Sequence, residues 1–123
     1  MTDLTFEITK AAAFDAAHFL DHGPPSSPYR RMHGHSFRVE ASLRGAAQGP
    51  LGWVDDLGEL DAALKEAAAA LDHGLLNEKP GLESPTLEHL CLHFRGVLQT
   101  RFPNLSRIVV SRPSVGERCE LRL

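Results

Sequence analysis

The most regular hydrophobic pattern in the chain opens with two histidines. From His33 to Leu43 every second residue is a histidine or an apolar residue, whereas glycine, serine and charged residues fill the positions between them. A period of two is typical of a β-strand with one buried face. The pattern therefore predicts a strand at about residues 35–45, with the imidazoles of His33 and His35 on the side that faces the core.

A second alternating run, residues 4–18, predicts another strand and places His18 on its mostly apolar side. Within this run, residues 11–13 are the place where a β-bulge is most easily accommodated. Pairing of the two strands would bring three inward-facing histidines to one end of a sheet. Three neutral imidazoles with an open fourth position are the ligand set of a catalytic zinc. The alternative, that the histidines are structural core groups without a metal, stays open from the spacing alone.

The rest of the chain separates helices from strands. Asp56 and Glu59 predict the start of a helix that ends near Gly74, and Ser84–Pro85 predicts the start of a second helix, closed by Pro103. Two alternating segments, 106–111 and 117–123, complete the order strand, strand, helix, helix, strand, strand. This order predicts an α+β fold, a four-stranded antiparallel sheet with two helices packed on one face. Oligomerisation is expected to cover the sheet's two free edges.

Length and composition restrict the classes of protein that the chain can form. With 123 residues, it is expected to form a single domain, 1–123. A net charge of -3 gives no reason to expect nucleic acid or a membrane surface as a partner. The N-terminus lacks the features of a signal peptide and no apolar run could span a bilayer, so the expected location is cytoplasmic. Cys91 and Cys119 have no paired spacing and are expected to be reduced thiols.

Four further histidines lie outside the two strands. Asp72 directly precedes His73, so its carboxylate can orient the imidazole and raise its proton affinity for acid–base chemistry. The competing interpretation, favoured on these residues alone, is that the pair only ends a helix. His89 and His93 are spaced to bind a ligand together, but they lie off the apolar side of the second helix and are expected to be solvated. His22 is expected to be exposed.

The segment that leads to the histidine pair carries a phenol and two cations. Tyr29 lies four residues before His33 and is able to donate a proton or simply to pack. Arg30 and Arg31 are more commonly a solvated pair, although beside a metal site they are able to bind a phosphate or carboxylate.

Five short motifs, taken together and in this order, resemble the 6-pyruvoyltetrahydropterin synthase / 6-carboxytetrahydropterin synthase family. They cover the chain nearly from end to end: FDAAH at 14–18, HGHSF at 33–37, GWVDD at 52–56, LDH at 71–73 with LN at 76–77, and SPTLE at 84–88. The resemblance implies the tunnelling fold, in which strands of several subunits close a β-barrel. It also implies a homohexamer made of two trimers, with active sites between subunits.

The resemblance further implies a zinc-dependent carbon–oxygen lyase that acts on a pterin. Members make tetrahydropterins, as in tetrahydrobiopterin synthesis, or supply the 7-deazaguanine route to queuosine, from a dihydropterin triphosphate. The family's roles fall on the following residues: zinc ligands on His18, His33 and His35, catalytic partners on Asp72 and His73, and a pterin-pocket position, contributed by a neighbouring subunit, on Thr86.

Two positions depart from the family pattern. Tyr29 stands where the family has a catalytic cysteine, and Arg112 stands where it has a glutamate that anchors the pterin ring. Arginine only donates hydrogen bonds, whereas a carboxylate accepts them, so the recognition chemistry at that position is inverted. Glu117 is the nearest substitute carboxylate, but the sequence gives little support for it. We therefore expect Tyr29 to replace the cysteine and Arg112 to select a ligand with an acceptor or anionic edge, in an enzyme without the usual synthase activity. The alternative is a non-catalytic, zinc-containing binding protein for a purine- or pterin-like ligand.

Overall fold

The computed structural model describes residues 4–123. Its main elements follow the predicted order: β1 (Phe6–His18), β2 (His33–Gly45), α1 (Leu57–Ala69), α2 (Leu87–Leu98), β3 (Leu105–Arg112) and β4 (Glu117–Arg122). The four strands form one antiparallel sheet in the order β1-β2-β3-β4. Helix α1 packs on β1 and β2, whereas α2 packs on β3 and β4. The α+β fold class with two helices on a four-stranded sheet is confirmed.

The longest ladder of the sheet joins β1 and β2. It pairs Phe6 with Gly45 at one end and His18 with His33 at the other, without a break. The bulge anticipated at residues 11–13 is therefore wrong: both strands have 13 residues and pair one to one, which leaves no extra residue to accommodate. The irregularity lies in the next ladder, between Ser42 and Leu43 of β2 and their partners in β3.

The core lies between the helices and one face of the sheet. The inward positions are buried from Phe14 to His18 of β1 and from Phe37 to Leu43 of β2, whereas Phe6 at the start of β1 is exposed. The rings of Phe14 and Phe37 stack with their centres 5.0 Å apart. Phe94 of α2 closes over Phe14 with 5.8 Å between ring centres. The opposite face of the sheet is charged, and there Arg107 forms ion pairs with Glu7 and Glu120. Burial on one face thus fixes which side of the ladder the histidines occupy.

Both helices differ from the prediction at one end. Asp56 caps α1 as expected, accepting from the backbone N–H groups of Gly58 and Glu59. However, α1 ends at Ala69, and the left-handed residue after it is His73, with φ 58°, rather than Gly74. Helix α2 begins at Leu87, not at 84–85, because Thr86 is the residue whose hydroxyl caps it.

Candidate functional site

Three imidazoles meet at one end of the β1–β2 ladder. His18 and His33 are direct cross-strand partners, and His35 lies two residues further along the same face. The Nε2 atoms of His18 and His33 are 3.0 Å apart, and one ring nitrogen from each of the three residues lies within 4.8 Å of the others. His18 is fully buried, whereas His33 and His35 are partly exposed. The predicted convergence of the three histidines is confirmed as geometry.

The hydrogen bonds of the rings fit a cation. His33 Nδ1 is 2.6 Å from the carbonyl oxygen of Arg31, which only accepts, so Nδ1 carries the proton and Nε2 presents a lone pair. His18 Nδ1 is buried and forms no hydrogen bond of ordinary geometry within residues 4–123, although the Pro85 carbonyl acts on this ring and favours its proton. A proton on His18 Nδ1 would set two Nε2 lone pairs against each other at 3.0 Å. A metal ion between these atoms would remove that repulsion.

The surroundings of His18 and His35 favour the neutral form of these two imidazoles, which is the form that binds metals. Burial lowers the pKa of His18 to about 4, with a further lowering by His33. Burial also lowers the pKa of His35, followed by the positive charge of Arg112. Because neutral imidazole is the ligand form, these residues can bind a divalent ion without first releasing protons near neutral pH.

A cavity of about 420 Å³ opens beside the three histidines. Its polar lining includes Tyr29, Arg31, Arg112 and Glu117. The Arg112 side chain is only 13% exposed, its Nε atom lies 2.8 Å from Glu117 Oε1, and its guanidinium carbon lies 6.0 Å from the centre of the Phe37 ring. Arg112 and Glu117 therefore both reach the histidine site, although little in the sequence supported Glu117.

The loop before β2 places only some of its candidate residues in the cavity beside the histidines. Tyr29 is exposed, its ring lies 5.7 Å from that of His22, and its phenol oxygen makes no hydrogen bond within residues 4–123. Arg30 turns away to the carboxylate of Asp21 and the carbonyl of Gly23. Of the two adjacent arginines, Arg31 alone lines the cavity.

The Asp72–His73 pair lies along the outer edge of β1. Asp72 Oδ1 accepts from the backbone N–H of Asp15 (2.8 Å), and the backbone N–H of His73 donates to the Asp15 carbonyl (2.7 Å). The second oxygen of Asp72 lies 2.8 Å from His73 Nδ1. The hydrogen bond to Asp72 raises the pKa of His73, and the Asp15 N–H, followed by His73, lowers the pKa of Asp72. The Asp72 carboxylate thus fixes the orientation of the His73 ring.

His73 and Tyr29 do not share a cavity within one chain. The His73 side chain is 82% exposed and lines a separate cavity of about 550 Å³ together with Asp15, Ser36 and Ser114. His35 lines both cavities and separates them. Ser36 donates to the Asp15 carboxylate at 2.5 Å. Sequence reasoning missed Asp15 and Ser36, although both are inside the FDAAH and HGHSF motifs, because they lie on the polar side of their strands.

Asn77 is a third residue that sequence reasoning missed. Its Oδ1 accepts from the Phe19 N–H (3.0 Å), and its Nδ2 donates to the Phe19 carbonyl (2.9 Å). Phe19 directly follows His18, and Ala17 donates from its N–H to the Gly74 carbonyl (2.9 Å). Asn77 therefore continues the attachment of the 72–77 segment to the end of β1. The sequence feature that could have identified Asn77 was its position in the LN motif at 76–77.

The remaining candidates lie away from both cavities. The Thr86 hydroxyl accepts from the His89 N–H at 3.1 Å, which uses it as the cap of α2. His89 is exposed as expected, but His93 is partly buried, and burial lowers its pKa.

Cys91 of α2 contacts Cys119 of β4, and both cysteines are free. Burial raises the pKa of the Cys91 thiol to about 12, with Cys119 nearby. The thiol therefore holds its proton at neutral pH. None of the helices within residues 4–123 is both long enough and apolar enough to cross a membrane.

Comparison with known proteins places these features in a family. The sequence model described as 6-pyruvoyl tetrahydropterin synthase matches residues 7–122. A putative 6-carboxy-5,6,7,8-tetrahydropterin synthase of Archaeoglobus fulgidus is 34% identical over 101 residues, which cover 82% of this chain and 83% of that protein. A 6-carboxy-5,6,7,8-tetrahydropterin synthase of Synechocystis is 41% identical over 86 residues, 66% of this chain and 65% of that one.

Solved structures agree in fold. The 6-pyruvoyl tetrahydropterin synthase of Caenorhabditis elegans superposes with a TM-score of 0.81 at 19% identity, covering 98% of this chain and 96% of that one. The Plasmodium falciparum protein of the same name gives a TM-score of 0.74 at 16% identity, covering 97% and 98%.

Proposed function

The chain belongs to the 6-pyruvoyl tetrahydropterin synthase family, and from this we propose that it is a zinc-dependent carbon–oxygen lyase acting on a pterin or a related heterocycle. Relatives at 34% and 41% identity are named as 6-carboxy-5,6,7,8-tetrahydropterin synthases. The observation that carries the proposal is the convergence of His18, His33 and His35 with two Nε2 atoms 3.0 Å apart.

The three imidazoles would hold the metal beside the cavity. Zinc in such a site polarises a substrate oxygen and makes its proton easier to remove. His18 and His33 would supply their Nε2 atoms. For His33, the Arg31 carbonyl accepts a hydrogen bond from Nδ1 and so leaves Nε2 as the ligand atom. The cavity of about 420 Å³ binds the substrate beside the metal ligands.

We assign proton transfer to His73, with Asp72 as the carboxylate that orients its ring. The exposed position of His73, in a different cavity from Tyr29, supports a site completed between subunits. In this arrangement His73 of one subunit serves the metal cavity of another. Within residues 4–123 no strand pairs with the outer edge of β4 or with the part of the β1 edge that the 72–77 segment leaves uncovered. These edges support assembly of the proposed homohexamer, a dimer of trimers with a shared β-barrel.

The two departures from the family pattern define the proposed change of substrate. Tyr29 takes the place of the catalytic cysteine and donates a proton at the cavity, because its phenol is an O–H donor. Arg112 binds an acceptor or anionic edge of the ligand, since guanidinium only donates. Thr86, at the start of α2, borders the pocket of a neighbouring subunit.

One observation favours a second candidate function. Tyr29 makes no hydrogen bond to a base within residues 4–123, so a single chain has no activated group in the metal cavity. The second candidate is therefore a zinc-containing binding protein for a purine- or pterin-like ligand, without catalysis.

Metal analysis and ligand binding test the proposal in sequence. Elemental analysis of the purified protein is expected to give one zinc per chain, and a His18→Ala/His33→Ala variant is expected to lose it. Thermal-shift measurements on the zinc-loaded protein then compare pterins, deazapurines and purines. Turnover that is lost in His73→Ala, with ligand binding retained, supports the lyase. Binding without any turnover supports the binding protein, and a metal-free native protein contradicts both.

A further inference from the structure

We propose that Arg112 binds an anionic group of the ligand, and that Glu117 occupies this guanidinium until the ligand displaces it. The inference rests on the proposed function and specifies its substrate class: a heterocycle that carries a carboxylate or a phosphate. Glu117 then acts as an internal competitor for the anion site.

The position of the pair makes displacement easy. Arg112 ends β3 and Glu117 begins β4, and the two residues face each other across the hairpin. Arg112 is held in place, with 13% of its side chain exposed and Phe37 beneath it, whereas half of the Glu117 side chain is exposed. The carboxylate can therefore move into solvent while the guanidinium stays at the cavity.

The contact between the two residues leaves most of the guanidinium unused. The Nε atom of Arg112 is 2.8 Å from Glu117 Oε1, but the N–H is not aligned as a hydrogen bond and Nε is left without a partner. Within residues 4–123 Glu117 is the one residue that forms an ion pair with this guanidinium, and no hydrogen bond is formed to it. A planar guanidinium binds a carboxylate or phosphate best through two parallel N–H donors. Glu117 does not use this geometry, so a ligand anion has a better bond available.

The charge of the cavity favours the same class of ligand. Two arginines, Arg31 and Arg112, line it against one carboxylate, Glu117. A bound divalent ion would make the surroundings still more positive. An anionic ligand group is the compensating charge that the described residues do not supply.

A purely structural role for the ion pair is less well supported. The hairpin is already fixed by the ladder from Arg107 with Arg122 to Arg112 with Glu117, and by Gly116 in the left-handed region at φ 69°. An ion pair with a half-exposed partner adds little to such a ladder. The pair instead lies in the lining of the same cavity as His18, His33 and His35, where a ligand can reach it.

Fluorescence titration with two pterins tests the inference on the zinc-loaded protein. Pterin-6-carboxylate carries the anion, and unsubstituted pterin is the neutral probe. We expect Glu117→Gln to bind pterin-6-carboxylate about tenfold more tightly than the native protein, because a competing charge is removed. The affinity for pterin is expected to be unchanged. Arg112→Gln is expected to lose the preference for the carboxylate. Arg118→Gln, which removes a more exposed arginine paired with Glu120, is the control and should bind both probes as the native protein does.

Inorganic phosphate tests the anion site independently of any pterin. Thermal stabilisation by phosphate is expected to increase in Glu117→Gln and to disappear in Arg112→Gln and in the double variant. If neither pterin binds but phosphate behaves as expected, the proposed function fails and the anion site stands. If Glu117→Gln weakens binding of both pterins, Glu117 contacts the ring directly and the displacement is refuted. An unchanged carboxylate preference in Arg112→Gln refutes the role of Arg112.

Discussion

Asn77 joins the segment that carries Asp72 and His73 to the strand that carries His18, and its removal tests whether these two halves of the site depend on each other. Asn77→Ala deletes both hydrogen bonds to Phe19, at 3.0 and 2.9 Å. It also deletes a longer one to the Glu83 carbonyl at 3.4 Å. The backbone N–H and C=O of Phe19 then have to find water.

The expected loss of stability follows from these two backbone groups. A hydrogen bond contributes about 1 kcal/mol net, and more when a buried partner is left unpaired, so the variant should lose about 2 kcal/mol. For a chain of this size that corresponds to a decrease in Tm of about 8 °C. Because Phe19 adjoins His18, we also expect zinc affinity to fall about tenfold, as for other residues that orient a metal ligand.

Urea unfolding of the metal-free protein, followed through the single Trp53, measures the first effect. Competition with a chelating indicator measures the second. Asn104→Ala is the matched control, because it removes one long bond to Asp55 at 3.4 Å, away from the histidines. It should keep the native zinc affinity. If Asn77→Ala retains both native stability and native zinc affinity, the coupling through Phe19 is wrong.

Three further predictions concern caps and titrating groups. Thr86→Ala should cost about 1 kcal/mol in urea unfolding, through loss of the α2 cap, and should leave zinc affinity unchanged. An NMR titration should place the pKa of His73 above 6.5, and Asp72→Asn should lower it. The stabilisation from this raised pKa is complete below 6.5 and is lost as the pH rises through the folded-state value. The pH dependence of the His18 contribution has the opposite sign. Because the pKa of His18 is lowered to about 4, the metal-free protein should have the full stabilisation from His18 above pH 6.5. It should then lose up to about 3 kcal/mol as the pH falls to 4, and a flat profile in acid would contradict this.

The fold was predictable from the sequence because the burial of one sheet face repeats every two residues. The same alternation that buries Phe37 and Phe14 places His33, His35 and His18 on the inner face, so the histidine cluster followed from the strands. The helix ends were less predictable, because several residues near each end are able to cap. Thr86 rather than Ser84 caps α2.

The end of α1 shows why local propensity fails near a site. Gly74 is the residue that best tolerates a left-handed conformation, yet His73 adopts it, at φ 58°. The hydrogen bonds of the 72–74 segment with Asp15 and Ala17 fix this backbone from outside the segment. Such strain is imposed by tertiary contacts, which a reading of local sequence does not contain.

The contact between Arg112 and Glu117 could not be predicted from the sequence for a similar reason. The two residues are separated by a tight turn and face each other only once β3 and β4 pair. The sequence identified Arg112 as a departure from the family pattern but gave no register for the hairpin. The separation of His73 from Tyr29 into two cavities likewise depends on the path of the 72–77 segment along the β1 edge.

The arrangement of β1 explains how other side chains of the cavity can vary while the three histidines stay in place. Side chains of β1 that point inward end in His18, whereas the backbone of the same strand end holds the segment with Asp72 and His73. A substitution in this ladder disturbs both halves together. Tyr29 and Arg112 instead occupy a short 3₁₀ turn and the last position of a strand, where a new side chain alters the cavity without shifting the ladder. This fold therefore tolerates a change of cavity side chains at positions 29 and 112 better than a change in the strands that carry the histidines.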